Sequence, residues 1–159
     1  DIWSYDSVLY IGARENRMDF GANFRDSKYR MDVLEIFEPN VRHLSSLDWI
    51  NRVIHGDVRA ASSLVENSYD VVFWWHGPEH INKSELSPAL DGLKKIANEL
   101  VVCGCPWGRY EQREAYGNPW EAHLSSLYEE DFERVGFRTS TLGRKDIHMS
   151  NLLSWYMIN

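Results

Sequence analysis

The sequence lacks long hydrophobic runs, and its basic residues are in the minority. No stretch approaches the roughly 18 consecutive apolar residues of a membrane-spanning helix, so we expect no membrane span. Lysine and arginine together number 17 against 24 acidic residues, and the formal net charge is -7. Binding to a nucleic-acid backbone needs a basic surface, and no Lys/Arg run is present. We therefore expect no nucleic-acid partner.

Cysteine is also scarce, since the chain contains only Cys103 and Cys105. Residues two apart on a strand are poorly placed for the geometry of a disulfide bond. A zinc site would need further sulfur ligands or nearby histidines. No secretory signal peptide is visible. We therefore predict two reduced, mostly buried thiols in a cytoplasmic protein.

Short apolar runs recur along the chain and predict the strands of a buried sheet. Five of them are rich in β-branched and aromatic residues and cover 7–12, 31–36, 52–56, 70–75 and 99–104. Such continuous runs are typical of parallel strands that are covered on both faces. Segments 138–143 and 152–158 are predicted to pair as a terminal antiparallel hairpin. The length fits one domain, 1–159, with an α/β fold. We predict a three-layer α/β/α sandwich with a seven-stranded, mostly parallel sheet.

Helix signals separate the predicted strands. Three helix starts are predicted by a proline in the first turn or by a capping box, and they lie at Pro39, at Ser87-Pro88 and at Ser126-x-x-Glu129. Gly136 stands where a C-terminal glycine cap of the last helix belongs. A weaker helical pattern covers 14–28. The alternation of strands and helices predicts right-handed crossovers in an open sheet.

Ligands of such sheets bind beyond the carboxyl ends of the strands, where the strand order reverses. Gly12 follows the first strand and allows a tight turn close to a ligand. An acidic residue after the second strand can accept hydrogen bonds from two ribose hydroxyls. Glu35 is favoured over Glu38 for this role, because a helix is predicted to begin at Pro39. Asp57 follows the third strand and can accept a hydrogen bond from an adenine amino group.

The order of these features resembles the class I (Rossmann-like) S-adenosylmethionine-dependent methyltransferase family. A glycine turn is followed after about twenty residues by an acid, and after about twenty more by Gly56-Asp57. An apolar strand that opens with Tyr69-Asp70 comes next. Glu79-His80 after that strand and the segment 123–137 are also similar to that family. The resemblance covers 8–158, nearly the whole chain.

The resemblance implies that S-adenosylmethionine is the cofactor and that a methyl group passes to a small-molecule, sugar or lipid-like acceptor. It implies that Gly12 contacts the cofactor and that Glu35 holds its ribose. Asp57 and Val58 are then expected to contact the adenine. Trp74 or Trp75 is a candidate to face the positive sulfonium by cation–π attraction, and Trp75 is the one assigned to the cofactor site. The two point to opposite faces of their strand, so at least one of them is expected in the core.

The first loop departs from the family pattern of acid-x-Gly-x-Gly-x-Gly. Tyr10 stands in place of the acid, and Arg14 and Asn16 replace two glycines. The alternative hypothesis is therefore a catalytically degenerate methyltransferase fold that serves as a binding or scaffold domain. A dinucleotide-dependent oxidoreductase is disfavoured, because the G-x-G-x-x-G turn that approaches phosphates is absent.

His76, His80 and His123 are the candidate catalytic bases, because histidine titrates near neutral pH. A structural alternative for His80 is to cap or orient the following helix. The sequence pattern His76-x-x-Glu79-His80 also matches an inverted zinc-protease motif. Gly77-Pro78 disfavours that interpretation, because proline disrupts the helix that the motif requires. A metal held in a loop by the three histidines is a further alternative, and we assign no metal ligand from the sequence.

Overall fold

A seven-stranded mixed sheet is the centre of the computed structural model, which describes residues 5–13, 30–66, 68–143 and 150–158. In chain order the strands are β1 (Ser7–Ile11), β2 (Arg30–Glu35), β3 (Arg52–His55), β4 (Tyr69–Trp75), β5 (Ala97–Pro106), β6 (Arg138–Leu142) and β7 (Asn151–Met157). Their spatial order is β3-β2-β1-β4-β5-β7-β6. β1 to β5 pair in parallel, and β7 runs antiparallel to both β5 and β6. The predicted mostly parallel sheet with a C-terminal hairpin is confirmed.

Helices pack on both faces of the sheet. They are α1 (Glu38–Leu44), α2 (Ala61–Leu64), α3 (Lys83–Ile96) and α4 (Glu129–Glu133), with 3-10 turns at Val58–Ala60, Pro78–His80 and Pro119–Glu121. Leu90 and Leu93 of α3 are fully buried in the core of one face, and Leu44 of α1 in the core of the other. In the part of the chain that is described, no helix has the length and apolar character to cross a membrane. The weak helical pattern over 14–28 lies outside the described residues.

Each central strand supplies side chains to both faces of the sheet. On β1, Leu9 and Ile11 belong to one core, whereas Val8 and Tyr10 belong to the other. Because both faces are covered, apolar residues are required at consecutive positions rather than at alternate ones. This is why the strands are visible in the sequence as continuous apolar runs.

The start of α3 differs from the sequence prediction. The helix begins at Lys83 rather than at Ser87-Pro88, and Pro88 lies inside it. The reason is a capping box at Asn82, whose backbone N–H donates to the Glu85 carboxylate at 3.1 Å. This box lies six residues before the proline and satisfies the first amides of the helix, so the proline does not set the helix start.

The other two helix starts are also displaced. α1 begins at Glu38, so Pro39 is its second residue instead of its first. The capping box predicted at Ser126-x-x-Glu129 is wrong. α4 begins at Glu129, and its capping residue is Tyr128, whose N–H donates to the Asp131 carboxylate at 3.0 Å. The predicted glycine cap is confirmed. Gly136 has φ +89° and donates to the carbonyl of the residue three positions before it.

Cys103 and Cys105 are free and buried on β5, as predicted. Both thiols have raised pKa values because burial penalises the thiolate. They therefore remain protonated at neutral pH and serve as small apolar core residues.

We predict that Gly104→Ala destabilises the fold, whereas Gly92→Ala does not. A Cβ at position 104 would lie 2.1 Å from the ring of Trp75, the cross-strand neighbour of Gly104 on β4. Such overpacking costs about 1–3 kcal/mol. A Cβ at position 92, within α3, meets nothing closer than 3.7 Å, and alanine there is expected to add up to about 1 kcal/mol. Urea unfolding of both variants measures the difference. Equal stability of the two would contradict the packing of Trp75 on Gly104.

Candidate functional site

A cleft of about 490 Å³ opens at the carboxyl ends of β1 to β4. The strand order reverses between β1 and β4, the place where open parallel sheets bind ligands. Its volume is in the range of small-molecule sites. All eight residues singled out from the sequence line this cleft: Gly12, Glu35, Asp57, Val58, Trp75, His76, His80 and His123. The fold thus brings them together, and their individual roles remain predictions.

The exits of β1 and β2 form one wall of the cleft. Gly12 has φ +69°, and a Cβ there would meet no atom of the described residues within 4 Å, so among these residues nothing covers its backbone on the cleft side. Glu35 is the last residue of β2 and is 3 % exposed, with Oε1 accepting the Phe37 N–H at 2.8 Å. Glu38 has an exposed side chain that pairs with Arg42 on α1. Of the two acids weighed from the sequence, only Glu35 lines the cleft.

Asp57 is fixed at the exit of β3 by Arg59. Its carboxylate caps the 3-10 turn by accepting the Arg59 N–H at 2.9 Å, and it also accepts hydrogen bonds from the guanidinium. Burial alone would raise the pKa of Asp57, but the Arg59 hydrogen bonds outweigh it, so the pKa is lowered. Arg59 also donates to Glu85 on α3 at 2.8 Å. Asp57 is therefore an oriented anion at the cleft edge.

The two tryptophans at the end of β4, Trp74 and Trp75, point to opposite faces of the sheet, as expected. Trp74 is 2 % exposed and belongs to the core under α3, although its ring also borders the cleft. Trp75 packs against the opposite core, where it stacks on Phe73 at 5.8 Å between ring centroids. An aromatic face is thus available beside the cleft on either side of the sheet.

Three histidines surround a buried carboxylate at the other end of the cleft. Glu79 is 2 % exposed. Its Oε1 lies 3.4 Å from Nδ1 of His76, 4.0 Å from Nε2 of His80 and 3.9 Å from Nε2 of His123. The rings of His80 and His123 are 4.9 Å apart and nearly perpendicular. The arrangement is a compact histidine–carboxylate cluster.

Backbone contacts explain how residues distant in sequence meet in this cluster. His76 adopts φ +49°, unusual for a residue other than glycine, and its N–H donates to the carbonyl of Gly104 at 2.7 Å. The carbonyl of Glu79 accepts the N–H groups of Leu124 and Ser125 at 2.8 and 3.2 Å. These bonds hold the chain beside His123 against the exit of β4.

The hydrogen bonds of two rings determine which of their nitrogens faces Glu79. Nδ1 of His80 lies 3.1 Å from the carbonyl of Ala122, and Nδ1 of His123 lies 2.7 Å from that of Tyr110. A carbonyl only accepts, so Nδ1 is the donor in each ring. In the neutral ring, Nε2 then carries a lone pair. The capping residue of α3 is Asn82 and not His80. The alternative prediction that His80 caps the following helix is therefore wrong.

The zinc-protease interpretation of His76-x-x-Glu79-His80 is also excluded by the geometry. That motif needs both histidines on one face of an α-helix. Here the segment leaves β4 and forms only a 3-10 turn, Pro78–His80. The proline that disfavoured the motif is the first residue of this turn.

Comparisons with known proteins identify the architecture. No protein-family profile matches the sequence, and no curated protein is detectably similar to it. Solved structures do match. The N-terminal domain of EvdMO1, with SAH bound, has a TM-score of 0.72 at 16 % identity and covers 98 % of this chain and 75 % of its own. The plantazolicin methyltransferase BamL has a TM-score of 0.69 at 13 % identity over 96 % of this chain and 77 % of its own.

A third match is the magnesium protoporphyrin IX methyltransferase ChlM of Synechocystis PCC 6803, also with SAH bound. Its TM-score is 0.65 at 13 % identity, and the match covers 96 % of this chain and 74 % of that protein. The chain has the class I methyltransferase fold. The sequence expectation of this fold is confirmed over nearly the whole chain.

The sequence did not assign several residues that line the cleft of this methyltransferase fold. Glu79 is the centre of the histidine cluster. The sequence signals for it were its place in the His-x-x-Glu-His pattern and the Glu79-His80 pair of the family resemblance, and neither assigned it a role. Further lining residues come from the segment between β5 and α4: Tyr110, Gln112, Asn118, Trp120 and Glu121. Arg109, in the same segment, is exposed, pairs with Glu111 and does not line the cleft.

His123 is expected to titrate below the usual histidine value of about 6.5. Burial lowers the pKa of His123, while the Tyr110 carbonyl and the nearby Glu79 raise it by less. The ring is therefore neutral at pH 7. An NMR titration of the imidazole signals in chelator-treated protein measures this. Glu79→Gln removes the carboxylate and should lower the midpoint further; a rise would contradict the assigned environment.

Proposed function

We propose that this chain transfers a methyl group from S-adenosylmethionine to a small-molecule acceptor. One observation carries the proposal. The candidate cofactor residues at the exits of β1, β2 and β3 line a single cleft, on a fold whose similar solved structures include several with SAH bound. The cleft lies at the reversal of strand order, where the sheet leaves room for a ligand.

The residues present fit this cofactor. Gly12 offers open backbone at a positive φ, and Glu35 offers a buried carboxylate one strand away for paired hydroxyl donors. Asp57 and Val58 lie at the next strand exit, suited to the edge of a purine ring. The bound cofactor would supply an electrophilic methyl group on a sulfonium. The protein's own contribution is to hold both reactants in line and to exclude water.

The histidine end of the cleft is proposed to take the acceptor. A hydroxyl or amine acceptor must lose a proton as its oxygen or nitrogen forms the new bond to carbon. His76, His80 and His123 are the candidates to receive it, and the last of these is neutral at pH 7 with its lone pair on Nε2. A sugar, a lipid-like molecule or another small metabolite would each offer such a group.

The second candidate function is a binding domain without catalysis. Tyr10, Arg14 and Asn16 replace an acid and two glycines of the usual first loop. Bulky side chains there would obstruct the methionine part of the cofactor. Measured affinity for S-adenosylmethionine and S-adenosylhomocysteine separates the two functions. Binding of both supports the enzyme and makes a screen of acceptors with labelled methyl donor the next step. Absence of binding at millimolar concentration would favour the binding domain.

We predict that Glu35→Gln weakens cofactor binding about tenfold, the effect of losing one hydrogen bond to a charged group. Glutamine keeps an oxygen for the Phe37 N–H but loses the charge that favours two hydroxyl donors. Glu38→Gln is the matched control, because Glu38 is exposed and does not line the cleft. Isothermal titration with S-adenosylhomocysteine measures both. Equal losses, or a loss for Glu38→Gln alone, would reassign the ribose site.

Asp57→Asn is expected to weaken binding by a similar factor while the fold is retained. Asparagine preserves the cap of the 3-10 turn but removes the anion. Glu85→Gln is the matched control. It neutralises the other carboxylate that accepts a hydrogen bond from Arg59, and because Glu85 does not line the cleft, the variant shows the effect of disturbing Arg59 alone. The titration should show a loss for Asp57→Asn only. Unchanged affinity of that variant would refute the adenine-site assignment.

A further inference from the structure

The carboxylate of Glu79 is buried and has no hydrogen-bond partner among the residues that the structure describes. Its side chain is 3 % exposed, and within the described residues neither Oε1 nor Oε2 has a hydrogen-bond donor. Burying an ionised carboxylate is strongly unfavourable unless it is paired or coordinates a metal. A buried carboxylate in a folded protein is therefore expected to have a partner, such as a hydrogen-bond donor, a positive charge or a metal ion. Two of the groups that face it, His80 and His123, present Nε2 lone pairs when neutral, because Nδ1 of each ring is the donor to a backbone carbonyl.

The ligand atoms around Glu79 are arranged as a cation would require. One atom each from Glu79, His80 and His123 lies within 4.8 Å of the others. Two ligands that bind one tetrahedral ion at about 2.1 Å lie about 3.4 Å apart. The observed distances of 3.9 and 4.0 Å from Oε1 to the two Nε2 atoms exceed this by about half an ångström. Small side-chain rotations close that difference.

The histidine rings are also held in the orientation that metal ligands need. Metal-binding histidines usually donate their other ring N–H to a carbonyl or carboxylate, which fixes the tautomer and the ring. Here Nδ1 of His80 and Nδ1 of His123 are engaged by backbone carbonyls at 3.1 and 2.7 Å. Both Nε2 atoms are thereby directed at the buried carboxylate.

We propose that Glu79, His80 and His123 bind a divalent transition-metal cation at the acceptor end of the cleft. Two imidazoles and one carboxylate favour Mn²⁺, Fe²⁺, Co²⁺ or Zn²⁺ over Mg²⁺ and Ca²⁺, which prefer oxygen ligands. His76 is not part of this group of mutually close ligand atoms, although its Nδ1 lies 3.4 Å from the same Oε1. The remaining coordination positions face the cleft that these residues line.

The role of this cation rests on the proposed function, but its binding does not. A metal ion lowers the pKa of a coordinated hydroxyl and orients it. For an acceptor with a hydroxyl group, the cation would bind the oxygen that forms the new bond to the methyl carbon, while the bond from that carbon to the cofactor's sulfur breaks and S-adenosylhomocysteine leaves. The proton of that hydroxyl would pass to solvent or to a ring that the metal does not occupy. Cation binding is measurable without cofactor and without acceptor.

The test is a titration of chelator-treated full chain with Mn²⁺, Co²⁺, Zn²⁺ and Mg²⁺, each alone. We expect one equivalent of a transition metal to bind with micromolar or tighter affinity, and Mg²⁺ to bind at least tenfold more weakly. Isothermal titration gives stoichiometry and affinity, and the visible spectrum of Co²⁺ reports nitrogen and oxygen ligation. Saturating metal should also raise the unfolding temperature.

Variants assign the ligands. Glu79→Gln and His123→Gln should each weaken metal binding at least tenfold. His43→Gln is the control for adventitious surface binding, because His43 is exposed on α1 and outside the cleft. Glu79→Gln should also abolish the metal-dependent rise in unfolding temperature. In metal-free protein, Glu79→Gln replaces a buried charge by an uncharged amide. The variant is therefore expected to fold, so its metal binding can be measured.

Two outcomes would overturn the proposal. One is the absence of saturable binding of any of these cations up to millimolar concentration. The other is an affinity that is equal in the parent, Glu79→Gln and His123→Gln, which would indicate binding at surface histidines. Cofactor binding is measured separately, by titration with S-adenosylhomocysteine in the presence of chelator, so its result does not depend on metal binding. Metal binding without cofactor binding would refute the methyltransferase proposal alone, and the reverse result would refute the metal site alone.

Discussion

The parallel ladder between β1 and β4 is the contact on which the cleft depends. Ile11 pairs with Trp74, so Gly12, the residue after β1, lies beside Trp75, the last residue of β4. The strand order reverses between these two strands, and the cleft opens at their carboxyl ends. The neighbouring pairs of β2 and β3 then bring Glu35 and Asp57 to the same edge, since Glu35 pairs with His55, two residues before Asp57.

The second half of the cleft depends on a different kind of contact. The segment between β5 and α4 contains little regular structure, and it is held by backbone hydrogen bonds to the carbonyl of Glu79 and by the ring of His123. These bonds cover the Glu79 side chain and exclude water from it. The same contacts therefore create the histidine cluster and bury its carboxylate, which has no hydrogen-bond donor in the described part of the chain.

The sheet was predictable because burial on both faces leaves a continuous apolar run in each strand. The helix starts were less predictable from the sequence. Pro88 predicted that α3 starts at Ser87-Pro88, but the capping box at Asn82 places the start at Lys83, because a helix starts where its first backbone amides find acceptors. The cofactor candidates follow strands directly, and all of them reach the cleft. The role of Glu79 was not predictable, because its burial is produced by residues more than 40 positions downstream.

The charges that line the cleft connect its two ends. Glu35, Asp57 and Glu79 contribute carboxylates, with Glu121 at the rim, whereas Arg59 is the one arginine or lysine among the described lining residues. That arginine is already engaged by Asp57 and by Glu85 outside the cleft. Clefts lined by one sign of charge concentrate ligands of the opposite sign, since low-dielectric walls focus the field. The electrostatics therefore favour positively charged groups over anionic ones. A sulfonium beside Trp75 and a divalent cation beside Glu79 both satisfy this condition, and a cation at the histidine end would in turn permit an electron-rich acceptor oxygen to approach an otherwise acidic site.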